Sequence, residues 1–409
     1  MDNKQPTQES ICIVGTMVPE AEFERLQKKS KVKAAISPNT MQINLFTSLA
    51  RVCNNVRYVS YPAVATWPRG GVLGTWAKRL KLNDTLWVDQ IFMINLPFLK
   101  QISVFLSTFF RLFFWALSHR KNKRYIMTYA DFSEYCLPAL WVGKLFRIPV
   151  CLLLTELPGY DHYTTGKRSL KDRLIIRSEN FKKKLYSKYD GFVFVSACSA
   201  QVILKKDVPW TVVEGFADDT LTHAEDVAKE PVPTAMYAGS LGEAYNIPML
   251  CDAFQAVKGD FRLWICGDGK YREYVQQAAQ KDSRITYFGR LPRQTVIDYE
   301  NRCQLLIHAK SAADEHSRYA FSSKIMEYMI SGTPVLTTRV DGVPDEYYSH
   351  AFVVEGEGMQ ALAEALRNTL SLPEEALSKM GKDAQKFLLS QKNRTVQGEK
   401  ILRMMRSIR

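Results

Sequence analysis

The chain has 409 residues, which is long enough to form two globular domains with full cores. Of these residues 46% are hydrophobic and 24% are charged, which is typical of a globular protein. Its formal net charge of +13 indicates an anionic partner, such as a nucleoside diphosphate or anionic lipid. No nucleic-acid-binding motif is present, so nucleic acid is excluded as the expected partner.

Cysteine and histidine spacing indicates a reduced, cytoplasmic protein without a bound metal. The eight cysteines include no CxxC pair, and the six histidines form no metal-ligand pattern. There is also no Asp-x-Asp, so we expect no metal and no other cofactor. The stretch Met1 to Ser10 is polar, so no signal peptide is expected.

The first half of the chain alternates predicted strands and helices. A strand over Ile11 to Val14 ends at Gly15, a helix covers Asn39 to Cys53, and a strand follows over Val56 to Val59. The next loop is rich in proline and glycine. Arg69 in this loop is a candidate acceptor contact, although a solvated loop arginine is the simpler interpretation.

Ile91 to Ser118 is the most apolar region of the sequence. Lys100 and Arg111 argue against a membrane span, because they leave no long uncharged run. Phe109 and Phe113 belong to a broad apolar face. Such a face beside basic residues can lie in a membrane interface, or it can pack against the sheet of its own domain, and the sequence leaves both open.

The following elements complete a first domain. A strand over Tyr125 to Tyr129, a helix over Asp131 to Phe146 and a strand over Val150 to Leu154 form one βαβ unit. A strongly basic helix is predicted over Lys167 to Lys188. It either attracts anionic lipid or the diphosphate of a lipid-linked acceptor, or it is a solvated face. The remaining segments are a strand over 190–196, a segment over 211–216 that ends the first domain, and a polar linker over 217–233.

The second half repeats the strand and helix pattern and places glycines after its strands. This is typical of a parallel sheet whose strand ends approach a ligand. The predicted elements are strands over Ala235 to Leu241, Phe261 to Cys266, Ile285 to Phe288 and Gln304 to His308, with a helix over Ile247 to Val257.

Tyr319 to Leu336 predicts a loop, a helix, a turn and a buried strand. Ser322 and Ser323 are candidate caps of a helix that begins near Lys324. A helix N-terminus attracts phosphate, and Lys324 adds a positive charge there. Glu327 lies one turn later on the same side, where a carboxylate can accept hydrogen bonds from sugar hydroxyls. The alternative is a capped helix with a solvated Lys–Glu pair.

This stretch, YAFSSKIMEYMISGTPVL, resembles the donor-site signature of GT-B glycosyltransferases, in particular the retaining family four. Tyr319 stands where the family has its first glutamate. The variant SSKIMEYMISGTPVL is similar to a subgroup with PSKxxEYMxxGxPV, common among bacterial surface-polysaccharide enzymes. The resemblance covers roughly residues 11–385 and is strong only from residue 235 onward. The residues that match the signature are Phe321, Glu327, Gly332, Pro334 and Val335.

The resemblance implies an α/β GT-B fold with two Rossmann-like domains facing across a cleft. The implied segments are an acceptor-binding domain over 1–216, a linker over 217–233, a nucleotide-sugar-binding domain over 234–385, and a C-terminal helix over 386–409 that can cross back to the first domain.

The resemblance also implies roles for individual residues. Lys324 and Glu327 are the predicted catalytic residues, because Lys324 would stabilise the departing diphosphate and Glu327 would hold the ribose. Ser240 and Tyr245 stand where the family carries arginine and lysine, which leaves Lys324 as the main cation. The other predicted donor-binding residues are Gly15, Gly239, Ser240, Gly267, Gly269, Arg290, Arg318, Tyr319, Phe321, Ser322 and Ser323. The predicted acceptor or membrane contacts are Arg69, Asp131, Lys100, Phe109, Arg111 and Phe113.

The implied activity is metal-independent transfer of a sugar from a nucleoside-diphosphate sugar to a lipid-linked saccharide. The enzyme would be peripheral on the inner face of the plasma membrane and would act in exopolysaccharide, capsule or lipopolysaccharide assembly. One alternative is a nucleotide-sugar 2-epimerase of the same fold. Another is a non-catalytic nucleotide-sugar-binding subunit, which Tyr319, Ser240 and Tyr245 suggest because they replace the family's usual residues.

Overall fold

The computed structural model describes residues 8–157, 170–218, 227–311 and 315–408. The chain divides into two compact units. Unit 1 contains Met1–Phe216 together with Arg394–Arg409, and unit 2 contains Ala217–Asn393. The predicted linker over 217–233 and the predicted basic helix over 167–188 each include residues outside the described ranges.

Unit 1 is built from alternating strands and helices, as the apolar pattern predicts. In its described part, eight strands form one sheet in the order β10-β9-β8-β7-β1-β2-β5-β4, and only β4 runs antiparallel. The strands are β1 (Glu9–Gly15), β2 (Val56–Ser60), β3 (Gly74–Thr75), β4 (Lys78–Lys81), β5 (Trp87–Gln90), β6 (Met93–Ile94), β7 (Lys123–Tyr129), β8 (Val150–Leu154), β9 (Gly191–Phe194) and β10 (Trp210–Val212). The helices are α1 (Glu20–Lys29), α2 (Ile36–Val52), α3 (Leu99–Ser118), α4 (Ser133–Phe146), α5 (Leu170–Tyr186) and α6 (Ala197–Ile203).

The strands in the middle of this sheet are buried on both faces because helices cover both sides. Every residue of β8 and β9 is buried, which explains why these segments are continuous apolar runs. At one edge, β4 carries the basic side chains of Lys78, Arg79 and Lys81, and charged edge strands resist pairing with other chains.

The last helix of the chain, α15 (Arg394–Arg406), belongs to unit 1. It packs on α2, where Ile401 and Met405 join Leu45 and Leu49 in one hydrophobic core. A Cβ at Gly398 would lie 2.5 Å from the Ser48 carbonyl oxygen, so the two helices are in close contact. The sequence predicted one C-terminal helix over 386–409, but a break separates α15 from the preceding helix, which stays in unit 2.

Helix α3 has one buried face and one exposed face. Val104, Thr108 and Leu112 are fully buried on the face that packs against α4 and β6. Helix α3 is long and apolar enough to cross a membrane, but core helices of soluble proteins share this length and composition. The two charged side chains of α3 also contact other parts of unit 1. Lys100 Nζ donates to the Val64 carbonyl oxygen at 2.6 Å, and Arg111 Nη2 lies 2.7 Å from Asp89 Oδ2.

Unit 2 is a second layered α/β unit with an all-parallel sheet. Its described strands pair in the order β13-β12-β11-β14-β15-β16. The strands are β11 (Thr234–Ser240), β12 (Arg262–Asp268), β13 (Ile285–Gly289), β14 (Leu305–His308), β15 (Val335–Thr337) and β16 (Phe352–Val353). The α-helices are α7 (Ile247–Ala256), α8 (Arg272–Lys281), α9 (Arg293–Arg302), α10 (Glu315–Tyr319), α11 (Ser323–Ile330), α12 (Asp345–Tyr348), α13 (Gly358–Leu370) and α14 (Glu374–Gln391).

The strand order of unit 2 reverses beside β11. From β11 the chain proceeds to β12 on one side, and it later returns through β14 on the other. Ligands of such sheets bind at the carboxyl ends of the strands at this switch point. The fold therefore directs attention to the ends of β11 and β14.

The segment between Ala217 and Thr234 contributes packed residues as well as a connection. Ala217 is buried, and its N–H donates to the Lys392 carbonyl oxygen at 2.8 Å. The ammonium group of Lys229 donates to the carbonyl oxygens of Asn301 and Cys303, each at 2.9 Å. Burial accordingly lowers the pKa of Lys229.

Candidate donor site in unit 2

Helix α11 is fixed to the end of β11 through one tyrosine. Tyr328 is fully buried, and its hydroxyl donates to the Ala238 carbonyl oxygen at 3.0 Å and accepts from the Ala238 N–H at 2.8 Å. Gly332, with φ +76°, lies directly after the end of this helix, where a left-handed conformation is common. The exposed side of this helix is therefore held beside the carboxyl end of β11.

Lys324 and Glu327 lie on that side of α11. Lys324 Nζ is 2.8 Å from Glu327 Oε2, and it also lies 5.4 Å from the centre of the Tyr328 ring. The side chains are 26% and 47% exposed. An exposed ion pair of this kind contributes only about 0.5 kcal/mol, so an incoming anion can replace Glu327 as the partner of Lys324 at low cost.

The start of α11 differs from the prediction that Ser322 or Ser323 caps it. No side-chain capping hydrogen bond is made at Ser322. Its hydroxyl instead lies 2.8 Å from His308 Nε2, because this imidazole at the end of β14 is fully buried and needs polar partners. Thr337 Oγ1, 2.9 Å from Nδ1, is the second partner. The first turn of α11 therefore begins without the side-chain acceptor that was expected.

His308 is held neutral in this arrangement. Burial lowers its pKa from 6.5 to about 3, and the charges of Lys310 and Lys324 act in the same direction. Its neutral ring links β14, β15 and the start of α11. The sequence placed His308 at a strand end but gave it no role.

The glycines at the ends of β11 and β12 permit contact between two loops. Gly267 has φ +141°, and a Cβ there would lie 1.8 Å from the Gly239 carbonyl oxygen. Gly269 has φ +156°, and a Cβ there would lie 2.8 Å from the Leu241 carbonyl carbon. No other residue type fits this backbone contact without displacement. Exposed Ser240 follows Gly239 directly at this edge.

The other predicted donor-binding residues are distributed differently. Exposed Arg290 follows Gly289, which has φ +68°. Arg318 is exposed and forms an ion pair with Asp341 at 3.2 Å. Phe321 packs its ring 5.2 Å from that of Tyr347, which gives it a structural role. Three further residues have these positions: Ser323 is the first residue of α11, Tyr319 is the last of α10, and Gly15 lies in unit 1 at the end of β1.

A buried carboxyl group near this site escaped the sequence analysis. Glu300 on α9 is only 5% exposed, and burial raises its pKa from 4.5 to about 7. The charge of Lys324 lowers this pKa and that of Glu327 raises it. The sequence could have indicated this burial, because Val296 and Tyr299 on the same helix and Cys303 directly after it form an apolar stripe that includes the position of Glu300.

The polar residues among the predicted contacts of unit 1 fall into three groups. Asp131 faces a cavity described below. Lys100 and Arg111 have the internal partners given above. Arg69 is exposed, and its carbonyl oxygen accepts from the Lys31 N–H at 2.9 Å.

Phe109 and Phe113 belong to the apolar face for which the sequence left both membrane contact and internal packing open, and both side chains are only partly exposed. Their rings stack on each other at 6.0 Å, and Phe113 also packs on Phe146 at 5.3 Å. The side chains that face outward are one helical position away, at Phe110 and Phe114, which are 53% and 63% exposed. A broad apolar stripe does not fix its own orientation to within one residue.

Residues 232–371, which lie in unit 2, match the family model "Glycosyl transferases group 1". No curated protein sequence matches the chain. Sucrose-phosphate synthase (tll1590) from Thermosynechococcus elongatus is 14% identical, with a TM-score of 0.60 over 97% of this chain and 98% of that one. Anabaena Alr3699/HepE in complex with UDP is 14% identical, with a TM-score of 0.61 over 97% and 100%. The lipopolysaccharide outer core galactosyltransferase WaaB is 12% identical, with a TM-score of 0.56 over 97% and 99%.

The fold is GT-B. The predicted fold class, with two Rossmann-like domains, is thereby confirmed, and the matched part of unit 2 is similar to group 1 glycosyltransferase domains. Lys324, Glu327, Gly239 and Gly267 all lie within the matched residues of this GT-B chain. Assignment to family four and to a surface-polysaccharide subgroup stays a prediction.

Proposed function

We propose that the protein transfers a sugar from a nucleoside-diphosphate sugar to a saccharide acceptor. The observation that carries this proposal is the pairing of an uncapped helix start with Lys324 inside the matched glycosyltransferase domain. Support for the donor class comes from Anabaena HepE, whose structures include complexes with UDP and with UDP-glucose.

Transfer would depend on the charge that builds up on the departing diphosphate. The N–H groups of the first turn of α11 and the ammonium of Lys324 supply positive potential at one place. A donor entering this site would separate Lys324 from Glu327. The Glu327 carboxylate could then accept hydrogen bonds from the ribose hydroxyls. Fixed groups that face developing charge lower the barrier without having to reorganise during the reaction.

We propose that this chemistry needs no metal. Among the described residues, no group of three or more His, Cys, Asp or Glu side chains is placed to hold a metal ion. The charge of the leaving diphosphate would then be balanced by Lys324 and by the helix.

Steady-state kinetics with varied donor concentration tests the proposed roles. Lys324→Ala should lower kcat by about 100-fold, on the scale of a lost oxyanion-hole donor. Glu327→Ala should mainly raise the donor KM, because ribose is bound in both ground and transition states. Lys81→Ala is the matched control, since it removes an ion pair to Asp84, also at 2.8 Å and three residues apart, on the surface of unit 1.

The alternatives predict different results in the same experiment. Donor binding without turnover, for any acceptor offered, would support a non-catalytic subunit. Inversion at C2 of the donor sugar without acceptor would support an epimerase. Normal turnover by both unit 2 variants, with only a lower melting temperature, would refute the proposed site.

We also propose that the protein is cytoplasmic and docks on the inner face of the plasma membrane, where it meets a lipid-linked acceptor. Large apolar side chains on α3, the residue before it and α4 are exposed, and the basic residues Lys144, in the last turn of α4, and Arg147, at its end, are exposed as well. Exposed apolar patches rimmed by cations are suited to anionic membranes. The outward apolar side chains are Phe98, Ile102, Leu106, Phe110, Phe114, Leu117, Trp141 and Leu145.

Vesicle binding tests the membrane proposal. The double variant Phe110→Ser, Phe114→Ser should lose binding to vesicles that contain anionic lipid, while its unfolding curve stays close to that of the wild type. The control Met359→Ser, Leu372→Ser removes two exposed apolar side chains from unit 2. Salt should weaken wild-type binding. Equal loss in both double variants, or no wild-type binding, would refute the proposal.

Assembly of a surface polysaccharide is the pathway we propose for this activity. The structural likeness to the lipopolysaccharide outer core galactosyltransferase WaaB supports it, together with the resemblance of the donor stretch to surface-polysaccharide enzymes.

A further inference from the structure

Unit 1 contains a cavity of about 450 Å³ at the carboxyl ends of its central strands. Its walls differ in character. Side chains from α1, from the following loop and from the start of α2 make one wall largely apolar, with Phe23, Leu26 and Val32 among them. Another part of the lining, from the residues after β7 and β8 and from α5, carries the charged side chains of the cavity in the described structure.

The charged wall is acidic, in contrast to the basic chain as a whole. The charged side chains that line the cavity in the described structure are Asp131, Glu156, Glu179 and Lys182. Among the described side chains, three carboxylates therefore face one ammonium. The formal charge of these four groups is negative, although the chain carries +13.

The carboxylates have fewer donors than they can accept. Lys182 Nζ is shared between Glu179 Oε1 at 3.0 Å and Asp131 Oδ1 at 3.5 Å. The Tyr186 hydroxyl donates to Asp131 Oδ2 at 2.7 Å. Glu179 Oε2 is buried and has no hydrogen-bond partner in the described structure. A buried acceptor without a donor is costly, so this wall favours a ligand that brings hydrogen-bond donors.

The backbone beside Asp131 is held in an unusual conformation. Ala130 has φ +59°, in the left-handed region that residues other than glycine rarely adopt. It is fixed there because its N–H donates to the Leu153 carbonyl oxygen at 2.8 Å, and the Tyr135 hydroxyl donates to the neighbouring Tyr129 carbonyl oxygen. Such strain, where it is observed, often marks a functional position, and here it lies directly before Asp131.

We propose that this cavity binds the acceptor through a sugar that carries many hydroxyls and no negative charge. Sugar hydroxyls would donate to Asp131 and Glu179, while the apolar wall would cover the C–H face of the ring. A uronic acid or a phosphate would instead place a second anion against the carboxylates. The identification of the ligand as the acceptor rests on the proposed transferase function, but the charge selection follows from the cavity alone.

Direct sugar binding by the full chain, measured without donor, tests the inference. The probes are the methyl glycosides of glucose, galactose and mannose and the three matching uronates, compared at equal concentration by saturation-transfer NMR. At least one neutral glycoside should bind, and its matching uronate should bind about 10-fold more weakly or not at all. Uronate binding that equals neutral binding, or no binding by any neutral glycoside, would overturn the proposal.

Variants locate the binding. Glu179→Gln and Asp131→Asn keep the side-chain shape and should each weaken binding of the neutral glycoside by about 10-fold. Glu243→Gln, which alters a surface ion pair in unit 2, is the matched control and should change nothing. Binding that is undiminished in both cavity variants would place the sugar elsewhere and overturn the assignment. Unfolding curves show whether the variants are folded.

This experiment separates failure of the cavity proposal from failure of the transferase proposal. Lys324→Ala should retain sugar binding even if it loses turnover. Normal turnover by Lys324→Ala, with selective sugar binding by the cavity, would refute the donor site and leave the cavity assignment intact.

Discussion

Replacing Glu300 with glutamine should stabilise the protein at neutral and alkaline pH and have little effect under acidic conditions. Glu300 is buried on α9, and its pKa is raised from 4.5 to about 7 chiefly by burial. This displacement corresponds to about 3 kcal/mol of cost for holding the ionised carboxylate in the folded state. Glutamine has nearly the same shape and no charge.

The direction of this pH dependence follows from the number of protons that the folded and unfolded states bind. Below pH 4.5 the carboxyl group is protonated in both states, so it adds no pH-dependent cost. Between 4.5 and about 7 the unfolded chain releases the proton while the folded protein keeps it, so stability falls as pH rises. Above about 7 the whole cost is present. The stabilisation by Glu300→Gln should therefore grow from near zero at about pH 4 to about 3 kcal/mol at about pH 8.

Urea unfolding at several pH values measures this difference, and amide hydrogen exchange in α9 and β12 shows whether the affected transition is that of unit 2. His308, whose lowered pKa costs stability as pH falls below 6.5, acts in the opposite direction. His308 is present in the wild type and in the Glu300→Gln variant, so its effect on stability cancels when the two are compared. Glu375→Gln, at an exposed position, is the control. A stabilisation that is the same at all pH values, or a destabilised variant at about pH 8, would refute the reasoning.

Three further outcomes are expected. UDP binding near pH 7 should be accompanied by proton uptake, because a diphosphate at Lys324 cancels the positive charge that lowers the pKa of Glu300. Calorimetry in buffers of different ionisation enthalpy measures the number of protons taken up. Proton uptake that persists in Glu300→Gln would contradict this expectation. Transfer activity should survive EDTA, and loss with rescue by Mn²⁺ would contradict the metal-free site. Gly267→Ala should destabilise unit 2 by more than about 2 kcal/mol, because its Cβ would meet the Gly239 carbonyl oxygen. Gly289→Ala, with φ +68° but no atom within 4 Å, should cost only about 1 kcal/mol, and equal costs would show that conformation alone decides.

The sequence predicted the strands of both central sheets well because parallel strands buried on both faces must be apolar throughout. The predicted strand over Val150 to Leu154 has the same bounds as β8, and the predicted helix over Ile247 to Val257 is one residue longer than α7. These patterns are set by burial alone. The short strands β3, β4, β5, β6 and β16 were missed, since runs of two to four residues carry little periodicity.

The site was predicted in part, for the same physical reason. Positions on α11 follow from helical spacing, so Lys324 and Glu327 were found on one side of it. The partner of Ser322 could not be found, because it depends on the buried ring of His308, which is distant in sequence. Glu300 was overlooked because a helical glutamate is usually solvated, although its neighbours on the stripe are apolar.

The return of α15 to unit 1 has a consequence for how the chain is made. The core of unit 1 includes Ile401, Leu402 and Met405, so it stays incomplete until the chain as far as Met405 has left the ribosome. Unit 2, which is continuous from Ala217 to Asn393, has all of its residues first. Domains usually fold in order from the N-terminus during synthesis, but here we expect the later unit to finish folding before the earlier one. Until α15 has been synthesised, the face of α2 that it covers stays exposed. The apolar side chains of Leu45 and Leu49 on that face can then contact other incompletely folded chains.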